Sequence, residues 1–241
     1  MLEPEIRHDE QAIKAYFNQW SIYDVIIKND YMAHAGIHKA LREALKALGD
    51  RPIAIIDLGC GDASQIAATL NGLPIRKYTG IDLSPVALDY ARKNMECIPK
   101  DASFVESDFT EHLASEHSEN ADAIIAGFTV HHLGVSDKAA LLRAASRKLS
   151  EGGTVLYYDV FRRNGESRDQ YVDAYCKNID LTWTALSLED REKTKEHLRN
   201  CDFPETFETL SRMAIDAELT PSSVPLFEDK ERFHRLYCFT G

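Results

Sequence analysis

The sequence is short of positive charge, of paired cysteines and of long apolar runs, and each shortage removes a class of function. Lysine and arginine number 28 against 39 aspartates and glutamates, a net charge of -11 over 241 residues. That balance repels phosphate backbones and anionic membrane surfaces, so neither nucleic acid nor membrane is an expected partner. Cys60, Cys97, Cys176, Cys201 and Cys238 are odd in number and form no C-x-x-C pair. They read as reduced thiols of a cytoplasmic protein, not as a disulfide frame or zinc site. No run reaches membrane-spanning length, and the charged opening MLEPEIRHDE lacks the apolar core of a signal peptide. What remains is ordinary globular composition, 44% hydrophobic and 28% charged, and enough chain for one sizeable domain.

Residues 10 to 28 read as a helix, with Ile13, Tyr16, Phe17 and Trp20 at helical spacing, and Met32 to Leu48 as a second, with Ile37, Leu41 and Leu45. After the turn GDRP the pattern alternates. Strands are expected at 52–59, 77–83, 102–109, 121–128 and 153–160, and helices at 62–73, 84–95 and 138–150. Ser84 and Pro85 form a cap and first turn. Single helices between strands imply parallel pairing, hence an α/β fold, a three-layer α/β/α sandwich. Residues 161 to 202 interrupt the rhythm with a polar loop and the charged helix LEDREKTKEHLRN, which reads as a solvated face. A helix at 204–219 and strands at 223–229 and 233–241 follow. Their short connection requires an antiparallel hairpin. The chain is thus expected to be one domain, 1–241, with a helical cap at 1–50 and a helical insertion at 161–202.

The stretch IIDLGCGDAS carries the chemistry. A strand, a glycine turn and a helix start make a nucleotide-type site at the strand's carboxyl end. A dinucleotide fits poorly, because Asp62 occupies the positive helix end, Asp57 sits behind it, and Ser64 stands where G-x-G-x-x-G has its third glycine. A cationic nucleoside resolves the conflict. S-adenosylmethionine (SAM) brings a sulfonium and an ammonium against one carboxylate. Asp82 closes the next strand 21 residues after Gly61, where a carboxylate can accept both ribose hydroxyls. Asp108 closes the third, placed to accept from an adenine amino group while the Phe109 backbone reads the ring edge.

The segments IIDLGCGDAS, YTGIDLS, ESDF, AGFTVHHL and KLSEGGTVLYYDV resemble those of the class I SAM-dependent methyltransferases over residues 52 to 160. The resemblance implies a Rossmann-like seven-stranded sheet of order 3-2-1-4-5-7-6 with an antiparallel last strand, SAM as cofactor and S-adenosylhomocysteine (SAH) as product. It assigns Asp57 to the methionine ammonium, and Gly59, Cys60 and Gly61 to the methionine and ribose. Asp82 and Leu83 go to the ribose, Asp108 and Phe109 to adenine. Gly127 lies beside the methionine, where relatives often place a polar side chain. The segment KNDYMAHAGIHKAL is similar to the N-terminal turn of small-molecule methyltransferases and carboxy-SAM synthases, which sets Tyr31 against the cofactor; core packing is the other reading. The R-A-N-G-Y-type segment of the carboxy-SAM synthases is missing from YCKNIDLTWTAL.

A base for the acceptor's proton is expected at His131, with His132 beside it, just past the fourth strand; the alternative is packing on the following loop. His34 and His38 stand at i, i+4, but with no third ligand nearby they suggest a surface or lid role and no metal. Tyr171 and Trp183 fall in the segment expected to select the acceptor, a small molecule. A homodimer stays open. Three readings remain beside methyl transfer to such an acceptor: a SAM-dependent enzyme that modifies the cofactor itself, a noncatalytic SAM-binding module, and a dinucleotide oxidoreductase.

Overall fold

The computed structural model describes residues 20–96, 98, 101–116 and 118–241. Ile13, Tyr16, Phe17, the Trp20 side chain and Cys97 lie outside them. The chain runs α1 (Trp20–Lys28), α2 (His34–Lys46), β1 (Ile53–Leu58), α3 (Ser64–Leu70), β2 (Ile75–Asp82), α4 (Pro85–Asn94) and β3 (Ala102–Glu106). It continues with α5 (Phe109–Ala114), β4 (Ala121–Gly127), a 3-10 turn (Val130–His132), α6 (Val135–Lys148) and β5 (Leu149–Val160). Then come α7 (Arg168–Thr182), α8 (Leu188–Cys201), α9 (Phe207–Asp216), β6 (Thr220–Pro221), β7 (Phe227–Glu228) and β8 (His234–Thr240). Among the described residues no helix is long and apolar enough to cross a membrane.

The strands form one sheet of order β3-β2-β1-β4-β5-β8-β6, with β7 also paired to β8. β1 to β5 are parallel and β8 runs antiparallel to β5. The expected order is therefore present. The expected strand 223–229 is instead two short edge pieces, at 220–221 and 227–228. Pro221 and Pro225 have no N–H to give a ladder, which suits an edge and not a continuous strand.

Strand parity decides what meets the ligand. Ile53 and Ile55 face the cluster that contains Ile37, Leu41 and Leu45 of α2, whereas Ile56 and Leu58 face the cluster under α6 and α9. Each such buried side chain contributes roughly 1.5–3 kcal/mol. Asp57 continues the odd-numbered face, so its carboxylate lies on the α2 side of the sheet, where Tyr78 of β2 meets it. Because strand order reverses between β1 and β4, the crevice at their carboxyl ends is the topological switch point.

The segment 161–202 holds two helices, not one. Ser167 and Gln170 form a reciprocal capping box that starts α7, a helix the polar loop reading had not anticipated. α8 buries Thr194, Lys195, Leu198 and Cys201, so one face of this charged helix lies inside, Lys195 paired with Asp180 and Glu192. Ile22 and Ile26 of α1 pack with Tyr171, Tyr175, Ile179 and Trp183, which holds α1 against α7.

Candidate active site

The loop after β1 turns through three left-handed residues, Gly59 (φ 66), Gly61 (φ 54) and Ala63 (φ 55). At Gly59 a Cβ would come within 2.6 Å of Thr129 Oγ1, so glycine serves there for space as well as for φ. The helix begins at Ser64, two residues later than expected, because Asp62 Oδ1 accepts from the Ser64 N–H (3.1 Å) and hydroxyl (2.9 Å). Asp82 locks the loop: Oδ2 accepts from the Gly61 N–H at 2.9 Å and Oδ1 from the Ser84 N–H at 2.8 Å.

Asp57 is buried and accepts a 2.7 Å hydrogen bond from the Tyr78 hydroxyl. Burial pushes its carboxyl up to about 7, Tyr78 pulls against this, and the nearby Asp82 carboxylate adds to it. Burial likewise pushes the Cys60 thiol up, with Asp57 and Asp82 reinforcing it. Tyr23 of α1 reaches the same acids, and its hydroxyl is raised by burial and then by Asp62, Asp82 and Asp57.

Asp57, Gly59, Cys60, Gly61, Asp82, Leu83, Phe109, Gly127 and His131 all line one cavity. Asp108 and Tyr31 are not among its lining residues. Asp108 Oδ1 instead caps α5, accepting from the N–H groups of Thr110 (2.7 Å) and Glu111 (2.9 Å). Tyr31 stacks on Trp183, which does line the cavity, at 5.1 Å between ring centroids, and its hydroxyl accepts from the Ala185 N–H at 2.7 Å. It ties the α1–α2 turn to the segment between α7 and α8. Gly127 has no side chain because Tyr158, its partner on β5, fills the space: a Cβ would lie 2.0 Å from the ring. The next residue, Phe128, sits at φ 48, a strained backbone on the cavity wall.

His34 and His38 are not on the surface. Both line the cavity, and burial drives their pKa values down to about 3 and about 4. The Thr69 hydroxyl spends its proton on the Gln65 carbonyl, so it accepts from His38 Nδ1 at 2.8 Å. A surface role for the pair is thereby corrected: packing of α2 on the sheet carries them inside.

Past β4 the cavity ends in a polar alcove. Asp159, fully buried on β5, receives the His131 backbone N–H at 3.0 Å and His131 Nδ1 at 2.5 Å. With Nδ1–H committed to that carboxylate, Nε2 carries the ring's lone pair. It faces Asp202 Oδ1 at 3.6 Å. Burial lowers the His131 pKa, but the Asp159 and Asp202 carboxylates outweigh it and hold the group above its usual value. Burial in turn pushes Asp202 up to about 6, against the opposing charge of His131. His132 Nδ1 lies 3.1 Å from the Cys201 carbonyl. His197 Nε2 lies 3.7 Å from Asp202 Oδ1, and burial lowers its pKa to about 3. Sequence spacing carries no sign of this assembly, since Asp202 and His197 arrive from α8 and the residue that follows it.

A family model described as a methyltransferase domain matches residues 55–153. Malonyl-[acyl-carrier protein] O-methyltransferase of Halalkalibacterium halodurans is 23% identical over 205 residues, 84% of this chain and 72% of its own length. Among solved structures, the plantazolicin methyltransferase BpumL in complex with SAH superposes with a TM-score of 0.68 at 14% identity, over 95% of this chain and 94% of that one. A chain from the Haloferax volcanii complex of the Trm112 methyltransferase activator with a methyltransferase gives 0.61 at 15% identity, over 98% and 99%. Residues 55–153 thus match a methyltransferase domain and the solved structures share its fold along nearly the whole chain; the protein is an enzyme with SAM as its cofactor.

Proposed function

We propose that the enzyme transfers the SAM methyl group to a small-molecule acceptor lodged between Phe128 and the alcove of His131, His132, His197 and Asp202. The carrying observation is the position of His131: on the wall of the same cavity as the glycine loop, its Nδ1 bound to Asp159, its Nε2 3.6 Å from Asp202 Oδ1. In this reading the methionine ammonium lies near Asp57 and Tyr23. The loop 59–61 backs the methionine and ribose, Asp82 and Leu83 hold the ribose, and Asp108 and Phe109 flank the adenine. The adenine acid is supported by position alone, because its Oδ1 already caps α5. Tyr31 supports the cavity wall through Trp183.

Methyl transfer is an in-line displacement. The acceptor's lone pair forms the new bond to the methyl carbon as the carbon–sulfur bond breaks, and its electrons stay on sulfur as neutral SAH. His131 Nε2 takes the acceptor's proton, and Asp159 stabilises the imidazolium that results. Such a base is worth about 10²–10⁴ in rate; holding nucleophile, methyl and sulfur in line in a closed site supplies much of the remainder.

The chain is read as one domain, with 161–202 as the part that selects the acceptor. Tyr175, Trp183, Thr194, His197 and Leu198 from that segment line the cavity, which supports the reading. The free thiols of Cys60, Cys176, Cys201 and Cys238 suit a cytoplasmic protein. A test incubates the enzyme and radiolabelled SAM with either the low-mass filtrate or the macromolecular retentate of a cell extract. SAH formation with the filtrate is expected; label found only in the retentate, on a protein or carrier, contradicts a free small acceptor.

A further inference from the structure

We propose that the alcove binds a divalent transition-metal ion of the zinc class, held by His131 Nε2, one ring nitrogen of His132 and a carboxylate oxygen of Asp202. One such atom from each residue lies within 4.8 Å of the other two, and all three residues are buried. No metal had been expected, because the sequence shows only the neighbouring pairs. The third donor comes from beyond α8.

Three observations carry the assignment. First, His131 Nε2 and Asp202 Oδ1 stand 3.6 Å apart, too far for a hydrogen bond. Donors bound at about 2.0–2.2 Å around a tetrahedral ion stand about 3.3–3.6 Å from one another. Second, Asp202 Oδ1 is buried and has no hydrogen-bond partner. Third, the His131 ring is oriented from behind as a metal-bound imidazole is, Asp159 accepting from its Nδ1, and His132 Nδ1 also stands 3.6 Å from Asp202 Oδ1.

Two imidazoles and one carboxylate favour zinc, cobalt or nickel over magnesium or calcium, which want oxygen throughout. Three protein ligands leave a coordination position open toward the cavity, the form of a catalytic site. What the ion does there rests on the methyl transfer and acceptor site of the preceding reading, and the ion replaces His131 as the group that deals with the acceptor's proton. With it bound, His131 Nε2 is a ligand and not a base. The ion then acidifies the acceptor directly, and the proton passes to solvent.

The test titrates chelator-treated full-length protein with Co2+, followed by visible absorption. One equivalent should bind with the bands of a four- or five-coordinate ion, and Zn2+ should displace it. Asp202→Asn and His132→Gln should each weaken binding more than about tenfold, and Asp159→Asn by about 10–100-fold. SAH titration of each variant shows whether its cavity is intact. No bound equivalent, or binding equal in wild type, Asp202→Asn and His132→Gln, overturns the site. SAH binding without Co2+ binding removes the ion and leaves the methyltransferase reading standing; absent SAH binding removes that reading, whatever cobalt does.

Discussion

Asp159 takes two hydrogen bonds from one residue: the backbone N–H of His131 at 3.0 Å and its ring Nδ1 at 2.5 Å. The carboxylate therefore fixes both the position of the 3-10 turn after β4 and the tautomer of the imidazole, and it does so from the adjacent strand.

From that pairing comes a pH dependence. The carboxylates hold His131 above its usual value, so with no ion bound acidification protonates the base earlier than it would an ordinary imidazole. Activity of the chelator-treated enzyme should rise as pH increases, with a midpoint above about 6.5. Asp159→Asn should move the midpoint downward while lowering the maximal rate, since it removes the stabilising charge and loosens the ring. A pH–rate profile of both proteins checks this. An unmoved midpoint would exclude His131 as the titrating group.

Asp57 sets a second dependence, in cofactor binding. Its carboxyl titrates near about 7 in the unliganded protein, and a neighbouring cation favours the ionised form. SAM affinity should fall by as much as about tenfold for each pH unit below 7. Calorimetry in buffers of different ionisation enthalpy should detect proton release on binding. Asp57→Asn should flatten the dependence and weaken binding at neutral pH.

His34 and His38 act on stability. Folded, they titrate near about 3 and about 4; unfolded, near 6.5. As pH falls from 6.5, the unfolded chain takes up protons that the folded chain refuses, so this contribution to stability is lost on acidification. Asp57 and Asp202, raised in the fold, work in the opposite sense over part of the same range. The clean observable is therefore the difference between wild type and His38→Gln in urea unfolding. The variant should lose up to about 2 kcal/mol less between about pH 6.5 and 5.

Gly127→Ala tests the packing beneath the methyl-transfer end. The new Cβ would sit 2.0 Å from the Tyr158 ring, on β5 in the sheet interior, so strand or ring must shift. A loss of about 1–3 kcal/mol is expected, with weaker SAH binding. Gly127→Ala combined with Tyr158→Leu should recover much of the stability, because the double change frees the contested volume.

Much of the molecule was legible because it obeys local rules. Ile53–Leu58 is apolar, β-branched and followed by glycines at left-handed φ, and Ser84 with Pro85 caps α4 as read, its hydroxyl accepting from the Ala87 N–H. Asp57 and Asp82 end up on one cavity because parallel strands bring their carboxyl ends to one side. Other features had no local signal. Asp202 and His197 meet His131 only through the packing of α8, whose charges read as a solvated face and gave no sign of the buried one. Asp108 at a strand end is ambiguous between ligand and cap, and its Oδ1 serves as a cap. The split edge at β6 and β7 follows from prolines that a periodicity count passes over.

The central claim is that the crevice at the β1–β4 junction holds the adenosyl group. Calorimetric titration of the wild-type chain and of Asp82→Asn with SAH tests it most directly. One site per chain is predicted, weakened in the variant by about tenfold or more as the charged acceptor disappears. Absence of binding at millimolar SAH, or equal affinity in the two proteins, would contradict it.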